Sequence, residues 1–321
     1  MPIMTLSEVL RLAEERRDAL RPVDVADELP SYQFKFPNGA TPVMEHLTGD
    51  RRLVLSARAE SQLLQRLQIP AAFYRRLPEN IKWATVNFFA QHGGFERMAL
   101  LRLVRGNTVR ALLSERFCPL DDVDLLPLFG DVVGDEALRV EALDFEEDYS
   151  HLRVIFPHQV AEPKPGDVVM TGINLSNSET GMRAVHIDAV VFRLVCRNGL
   201  VQAESSGKTT IRHVGQIDRL KDSLATAVRD ANQKAHRLLE RFRIAAGVRI
   251  SDPRAALERF ASDGTLTQEQ LQLAIAAFIL EPDPTVYGLV NAVTRAAQQE
   301  PTFERRYLME RQGTALLNRL T

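Results

Sequence analysis

The stretch Val168-Val169-Met170-Thr171-Gly172-Ile173-Asn174-Leu175-Ser176-Asn177-Ser178-Glu179-Thr180-Gly181 decides the fold class. Its first part, 168–175, is short, apolar and β-branched, and reads as a strand. A polar turn follows and ends at Gly181. A second apolar run then covers 182–196, long enough to be central in a sheet. Outward from this pair, 98–104 and 108–113 flank Arg105-Gly106-Asn107, a hairpin signal. Strands are predicted at 138–143 and 151–157, a helix at 119–133, and a loop at Pro163-Lys164-Pro165-Gly166.

Both flanks change period. Leu6, Val9, Leu10 and Ala13 recur at helical spacing in 5–20, behind Thr5 or Ser7 as cap. Residues 21–42 carry Pro22, Pro30, Pro37 and Pro42, which block long helices. Within them Tyr32, Phe34 and Phe36 alternate as one apolar strand face. Helices are predicted at 57–67, 70–77 and 79–91, with Trp83, Val86, Phe88 and Phe89 as core. Past residue 215 the pattern is helical. Ile217, Leu220, Leu224, Val228, Ala231, Ala235, Leu238 and Phe242 make a coiled-coil-like seam. Further helices are expected at 253–260, 267–280, 285–298 and 303–320. The expectation is an α+β chain: a central, mostly antiparallel curved β-sheet with an N-terminal helical module and a helix-rich C-terminal region. Its divisions are 1–97, 98–215 and 216–321.

The 321 residues carry a net charge of -2, so no global basic field advertises nucleic acid. Two cysteines, Cys118 and Cys196, and no Cys-x-x-Cys pair leave structural zinc unsupported. The start lacks a signal-peptide pattern, and no apolar run approaches a membrane span. The cytoplasm is the expected location, with no membrane partner and no cofactor.

Candidate chemistry is sparse. Ser206-Gly207-Lys208-Thr209-Thr210 imitates a phosphate loop, but Gln202 stands where the motif needs glycine. Cys196 ends an apolar run and reads as a small buried hydrophobe. His151, His158, His186 and His213 are too dispersed in sequence for a metal cluster. The basic residues are more suggestive. Arg102, Arg105 and Arg110 lie on the first hairpin or its turn. Arg183, Arg193 and Arg197 lie on the long strand, and Lys208 and Arg212 follow. Guanidiniums on a sheet face grip phosphates. The competing reading pairs them with acidic neighbours.

The turn 172–181, followed by Arg193-Leu194-Val195-Cys196-Arg197-Asn198-Gly199-Leu200, resembles the domain of unknown function 932 family, the phage/plasmid-like proteins. Those proteins have an Asn-Ser turn ending in Gly, a long strand, and Arg-x-Val-Cys-x-Asn before a helix-rich tail. Asn174, Asn177, Ser178, Gly181, Cys196, Asn198 and Gly199 carry the likeness. Ala111-Leu112-Leu113-Ser114-Glu115-Arg116-Phe117 and Pro119-Leu120-Asp121 resemble the family's earlier strand and its following Asp. This chain departs from the Asn-Ser-His-Asp-Gly turn of many members, so a role for that histidine does not transfer.

The resemblance implies association with a mobile element and no particular activity. The leading expectation is a non-enzymatic protein binding single-stranded nucleic acid, as annealing proteins do, and forming a homo-oligomer through the 217–242 helix. The few aromatics in the central strands argue against base stacking; Phe117, Tyr149, Phe156 and Phe192 are the main candidates, and most of them read better as core. One alternative is a structural or partner-binding protein of a mobile element. Another is an enzyme with a pocket around Asn174, Asn177, Glu179, His186 and Cys196.

Overall fold

Thr5 opens α1 (Leu6–Leu20) with a capping box: its side chain accepts from Glu8 N, and Glu8 reaches back to Thr5 N at 2.7 Å. Ser56 caps α2 (Ala57–Arg66), and Pro70 and Pro78 precede α3 (Ala71–Arg76) and α4 (Glu79–His92). The computed structural model describes residues 4–36, 41–94, 96–134, 138–194, 198–202, 210–214 and 220–321. The predicted turn at 105–107 joins β5 (Met98–Val104) to β6 (Thr108–Leu113), with Arg105 at φ 52° and Gly106 at φ 85°.

That hairpin does not begin the central sheet, as the division at residue 98 supposed. It joins β1 (Val23–Glu28) on one side and β4 (Arg52–Leu55) on the other, with β3 (Val43–His46) and β2 (Tyr32–Lys35) beyond β4. Together they form a six-stranded sheet of order β1-β5-β6-β4-β3-β2, antiparallel except for β4 against β6. The N-terminal module is therefore a sheet with helices on it. Tyr32, Phe34, Leu55, Leu63, Trp83 and Leu101 fill its core. The β4–β6 ladder covers only Val54 and Leu55 against Thr108 and Val109. Beyond it α2 takes over: Gln62 Oε1 accepts from Leu112 N at 2.9 Å, and Arg66 donates to Leu113 O at 2.9 Å. Side chains thus satisfy backbone groups that a neighbouring strand would otherwise meet.

After α5 (Asp122–Val133) comes a second six-stranded sheet, wholly antiparallel. Its order is β11-β10-β9-β8-β7, and β12 also pairs with β10. The strands are β7 (Arg139–Phe145), β8 (Ser150–Lys164), β9 (Asp167–Asn177), β10 (Val185–Arg193), β11 (Asn198–Gln202) and β12 (Thr210–Ile211). The long apolar run at 182–196 thus supplies a shorter strand than expected, because Met182 and Arg183 still belong to the turn. β8 and β9 are longer than their apolar runs, and Gly166 at φ 78° turns between them.

Alternation divides the faces of this sheet. Ile173, Leu175, Val185 and Ile187 meet α1, α5 and α6 (Leu220–Ala245). The apolar positions of α6, Leu224, Ala227, Ala231, Ala235, Leu238 and Phe242, are buried within the chain. The seam expected to pair two chains therefore packs on the protein's own sheet and helices. α7 (Pro253–Ser262), α8 (Gln268–Leu280), α9 (Val286–Ala296) and α10 (Phe303–Leu320) complete the expected helical tail, with Thr267 and Gln270 forming a second capping box. The chain is α+β, as the pattern indicated. No described helix is long and apolar enough to cross a membrane. One core assignment fails: Trp83 and Val86 are buried, but Phe88 is 59% exposed and Phe89 39%.

Candidate functional site

The turn after β9 joins the two sheets. Gly181 sits at φ +71°, and a Cβ there would lie 2.5 Å from Leu113 Cδ2 of the first sheet. Only glycine meets both demands without strain. Asn177 Nδ2 donates to Leu120 O and to Asp122 Oδ1, and Ser178 Oγ accepts from Met182 N at 3.0 Å. Glu179 accepts from Arg110 at 2.6 Å and from Asp122 N at 3.1 Å. Arg102, 2% exposed, donates to both oxygens of Asp24, to Asp121 and to Glu179 O. Burial alone would raise the Glu179 carboxyl, but the Arg110 guanidinium outweighs it and holds the group low. Burial and the nearby Glu179 charge push Asp122 up to about 6.

A second polar assembly lies on the face of β8–β9–β10 opposite Ile173 and Ile187. Register places His151, Ser176, His186 and Thr210 in one cross-strand row, and Arg153, Asn174 and Asp188 in the next. α10 covers both. His151 Nδ1 bonds Ser176 Oγ at 2.9 Å, and its ring stacks on Phe303 at 4.7 Å. Burial lowers His151 to about 4. Arg153 donates to Asn174 Oδ1 at 2.8 Å and forms a bidentate pair with Glu310, which is fully buried. Glu310 also accepts from Gly199 N at 3.2 Å and Gln298 Nε2 at 3.0 Å. A Cβ on Gly199 would stand 2.9 Å from Arg153 Nη1, so the glycine clears space for that pair. Tyr307 donates to Asp188 Oδ2 at 2.5 Å, and burial raises Asp188 to about 6.

The third feature is an open cleft of about 620 Å³ between the modules. Its lining includes Gln62, Gln65, Arg66, Gln68, Glu96, Leu113 and Ser114 of the first module, and Phe117, Gly181, His213 and Val214. Phe117 stacks on His213 at 4.8 Å with an interplanar angle of 13°. Cys118 N donates to His213 O, which fixes the backbone there. Both His213 ring nitrogens are buried without a hydrogen-bond partner among the described residues. Burial lowers the ring's pKa, so it stands neutral.

Among the described residues, most of the arginines proposed for a phosphate-gripping face are held by carboxylates. Arg102 and Arg110 are buried in the joint, and Arg193 is buried against Asp167 and Glu281. Arg183 pairs with Glu304, also on α10. These are the acidic pairings that sequence offered as the competing reading. Arg105 is exposed at the hairpin turn, and exposed Arg212 adjoins His213 beside the cleft. Arg197, Lys208 and Cys196 lie outside the described residues. Of the pocket imagined around 174–196, Asn174 and His186 reach the polar rows, whereas Asn177 and Glu179 belong to the joint. Among the described residues no group of His, Cys, Asp or Glu is arranged to hold a metal.

The family model for a domain of unknown function, DUF932, matches residues 111–319. The chain belongs to the DUF932 family. No curated protein and no solved structure matches it. The DUF932 match begins within β6 and ends in α10, so it encloses the turn and both polar rows with their helix. Arg102 and Asp24, the first sheet's half of the joint, fall outside it. The DUF932 residues that sequence reasoning missed are Arg153, Tyr307 and Glu310. Their partners stand more than 100 positions apart, for example 157 for Arg153 and Glu310. A glutamate at 310 in line with the uncharged positions Phe303, Tyr307 and Thr314 on one helix face was the available signal.

Proposed function

We propose that this DUF932 protein binds a single nucleic-acid strand in the cleft between its two sheets, in the cytoplasm and in the mobile-element setting that the family resemblance implies. The supporting observation is the Phe117–His213 stack in the cleft wall, whose imidazole nitrogens have no hydrogen-bond partner among the described residues. A stacked pair of this kind offers a base a flat face. Exposed Gln65 and Gln68 supply donors and acceptors for base edges. Exposed Arg116 and Arg212 adjoin the lining residues and are free to meet phosphate. A basic sheet face is not the binding surface, because Arg102, Arg110, Arg183 and Arg193 are held by carboxylates.

Fluorescence anisotropy with a labelled single-stranded oligonucleotide tests it. Base stacking contributes about 1–3 kcal/mol, so Phe117→Ala should weaken binding by about 5- to 150-fold. With two rim arginines the slope of log K against log salt should be shallow, about -1.4. No binding by the unaltered protein at low salt, or an unchanged affinity in Phe117→Ala, overturns the reading.

A partner-protein role has one observation in its favour. Phe73, Ile81, Phe88 and Phe89 are exposed on α3 and α4, and the rings of Phe88 and Phe89 meet edge to face. Light scattering of Phe88→Ser against the unaltered protein tests whether that surface joins copies of the chain.

A further inference from the structure

The two faces of α6 differ in chemistry. Leu224, Ala231, Ala235, Leu238 and Phe242 are buried and turn its apolar side to the sheet and the tail helices. On the far side Arg229, Gln233, His236, Arg237, Glu240 and Arg243 are exposed. Steps of three and four place Arg229, Gln233, His236, Glu240 and Arg243 along one line of the helix. Arg237 and half-buried Arg241 extend the i+4 row that starts at Arg229 and Gln233, which widens the line into a stripe. From Arg229 to Arg243 it runs about 21 Å.

Glu240 is the only carboxylate exposed on this stripe, and it pairs with Arg243 at 3.2 Å. Asp230 is half-buried at the flank. Arg229 donates to Thr226 Oγ1 and Arg241 to the side chains of Asn318 and Thr321, all neutral acceptors. Among the described residues no ion pair holds Arg229, Arg237 or Arg241. Four arginines against one glutamate make a local excess of cations in a chain whose net charge is -2. Guanidiniums without carboxylate partners are suited to phosphate oxygens. The stripe has no aromatic ring for unpaired bases, and Ile244 is the only large hydrophobic exposed among the described residues of α6, too little to enter a bilayer. A rigid row of cations with little apolar content matches the stiff, regular phosphates of a duplex. We propose that the outer face of α6 binds double-stranded nucleic acid through phosphate contacts of Arg229, Arg237 and Arg241.

This surface is separate from the cleft and rests on different residues. A blunt DNA duplex of mixed sequence is the probe, because its paired bases are closed to the Phe117–His213 stack. Fluorescence anisotropy with the full chain reads binding across a salt series. Three phosphate contacts give a slope of log K against log salt of about -2.7, so affinity should fall about 40-fold between about 50 and 200 mM salt. Arg229→Gln combined with Arg237→Gln, both at exposed positions, should reduce that fall to about 3- to 4-fold. Glu240→Gln releases Arg243 and should steepen the slope by about 1, a gain that misfolding does not produce. Phe117→Ala should bind the duplex as the unaltered protein does, so a failure of the cleft reading and a failure of this one are distinguishable. Absence of duplex binding at low salt, a slope unchanged in either α6 variant, loss of duplex binding in Phe117→Ala, or poly-glutamate or phosphatidylserine vesicles competing as well as unlabelled duplex overturns the proposal.

Discussion

Glu310→Ala isolates the contact that ties the last helix to the sheet. Glu310 is fully buried and receives both Arg153 Nη atoms, Gly199 N and Gln298 Nε2. Truncating it leaves Arg153, itself 2% exposed, as a buried cation with only the Asn174 amide oxygen and the face of Phe303 as partners among the described residues. Removing one member of a buried ion pair costs about 3–5 kcal/mol. With an unfolding entropy of about 2.1 cal/mol/K per residue, a cooperative unit of this size should melt about 5–8 °C lower. Urea unfolding followed by circular dichroism gives the free energy, and calorimetry the midpoint. The paired change Arg153→Met with Glu310→Leu distinguishes an orphaned charge from lost packing. It should recover most of the loss, since apolar replacement of a buried pair is often neutral or better. A single-variant loss below about 1 kcal/mol, or a double variant less stable than the single, would refute the assignment of this pair as the clasp.

Acid sensitivity follows from His151, whose folded pKa of about 4 lies below the unfolded value near 6.5. The unfolded chain then binds the proton first, so this stability is present above pH 6.5 and is lost as pH falls toward 4. His151→Phe, which keeps a ring against Phe303, should lose about 2 kcal/mol less than the unaltered protein between pH 7 and pH 5 in urea titrations. Asp122 and Asp188, both raised to about 6, act in the opposite sense, so the difference between variants is the quantity to read. Gly181→Ala places a side chain at φ +71° and against Leu113, and should cost about 1–3 kcal/mol in denaturant midpoint analysis. Arg102→Met leaves Asp24 and Asp121 facing each other without their cation. It should destabilise by about 1–3 kcal/mol, less than a fully buried pair because both carboxylates keep contact with water, read by the same unfolding assay.

Local pattern carried the elements far. Helix caps at Thr5, Ser56 and Thr267, the Arg105-Gly106 turn and the tail helices fall where spacing put them, because capping and periodicity are short-range properties. The turn ending at Gly181 was legible as a family signature, but its work as a joint was not. That depends on Leu113, Arg102 and Arg110 arriving from the other sheet. The same distance in sequence hid the role of α10. Nothing near Arg153 announces Glu310, and nothing near Asp188 announces Tyr307.

By itself the sequence determined the class of fold, the turn, and the membership those motifs carry. Only tertiary structure decided what the charges do. An arginine on a strand reads the same whether it faces solvent or a carboxylate contributed by a distant helix. Burial and pairing are set by which segments meet, so Arg102, Arg110 and Arg193 became internal ties. The turn at 177–181 became the joint between two sheets, and Asn174 became a buried acceptor for Arg153 on the neighbouring strand.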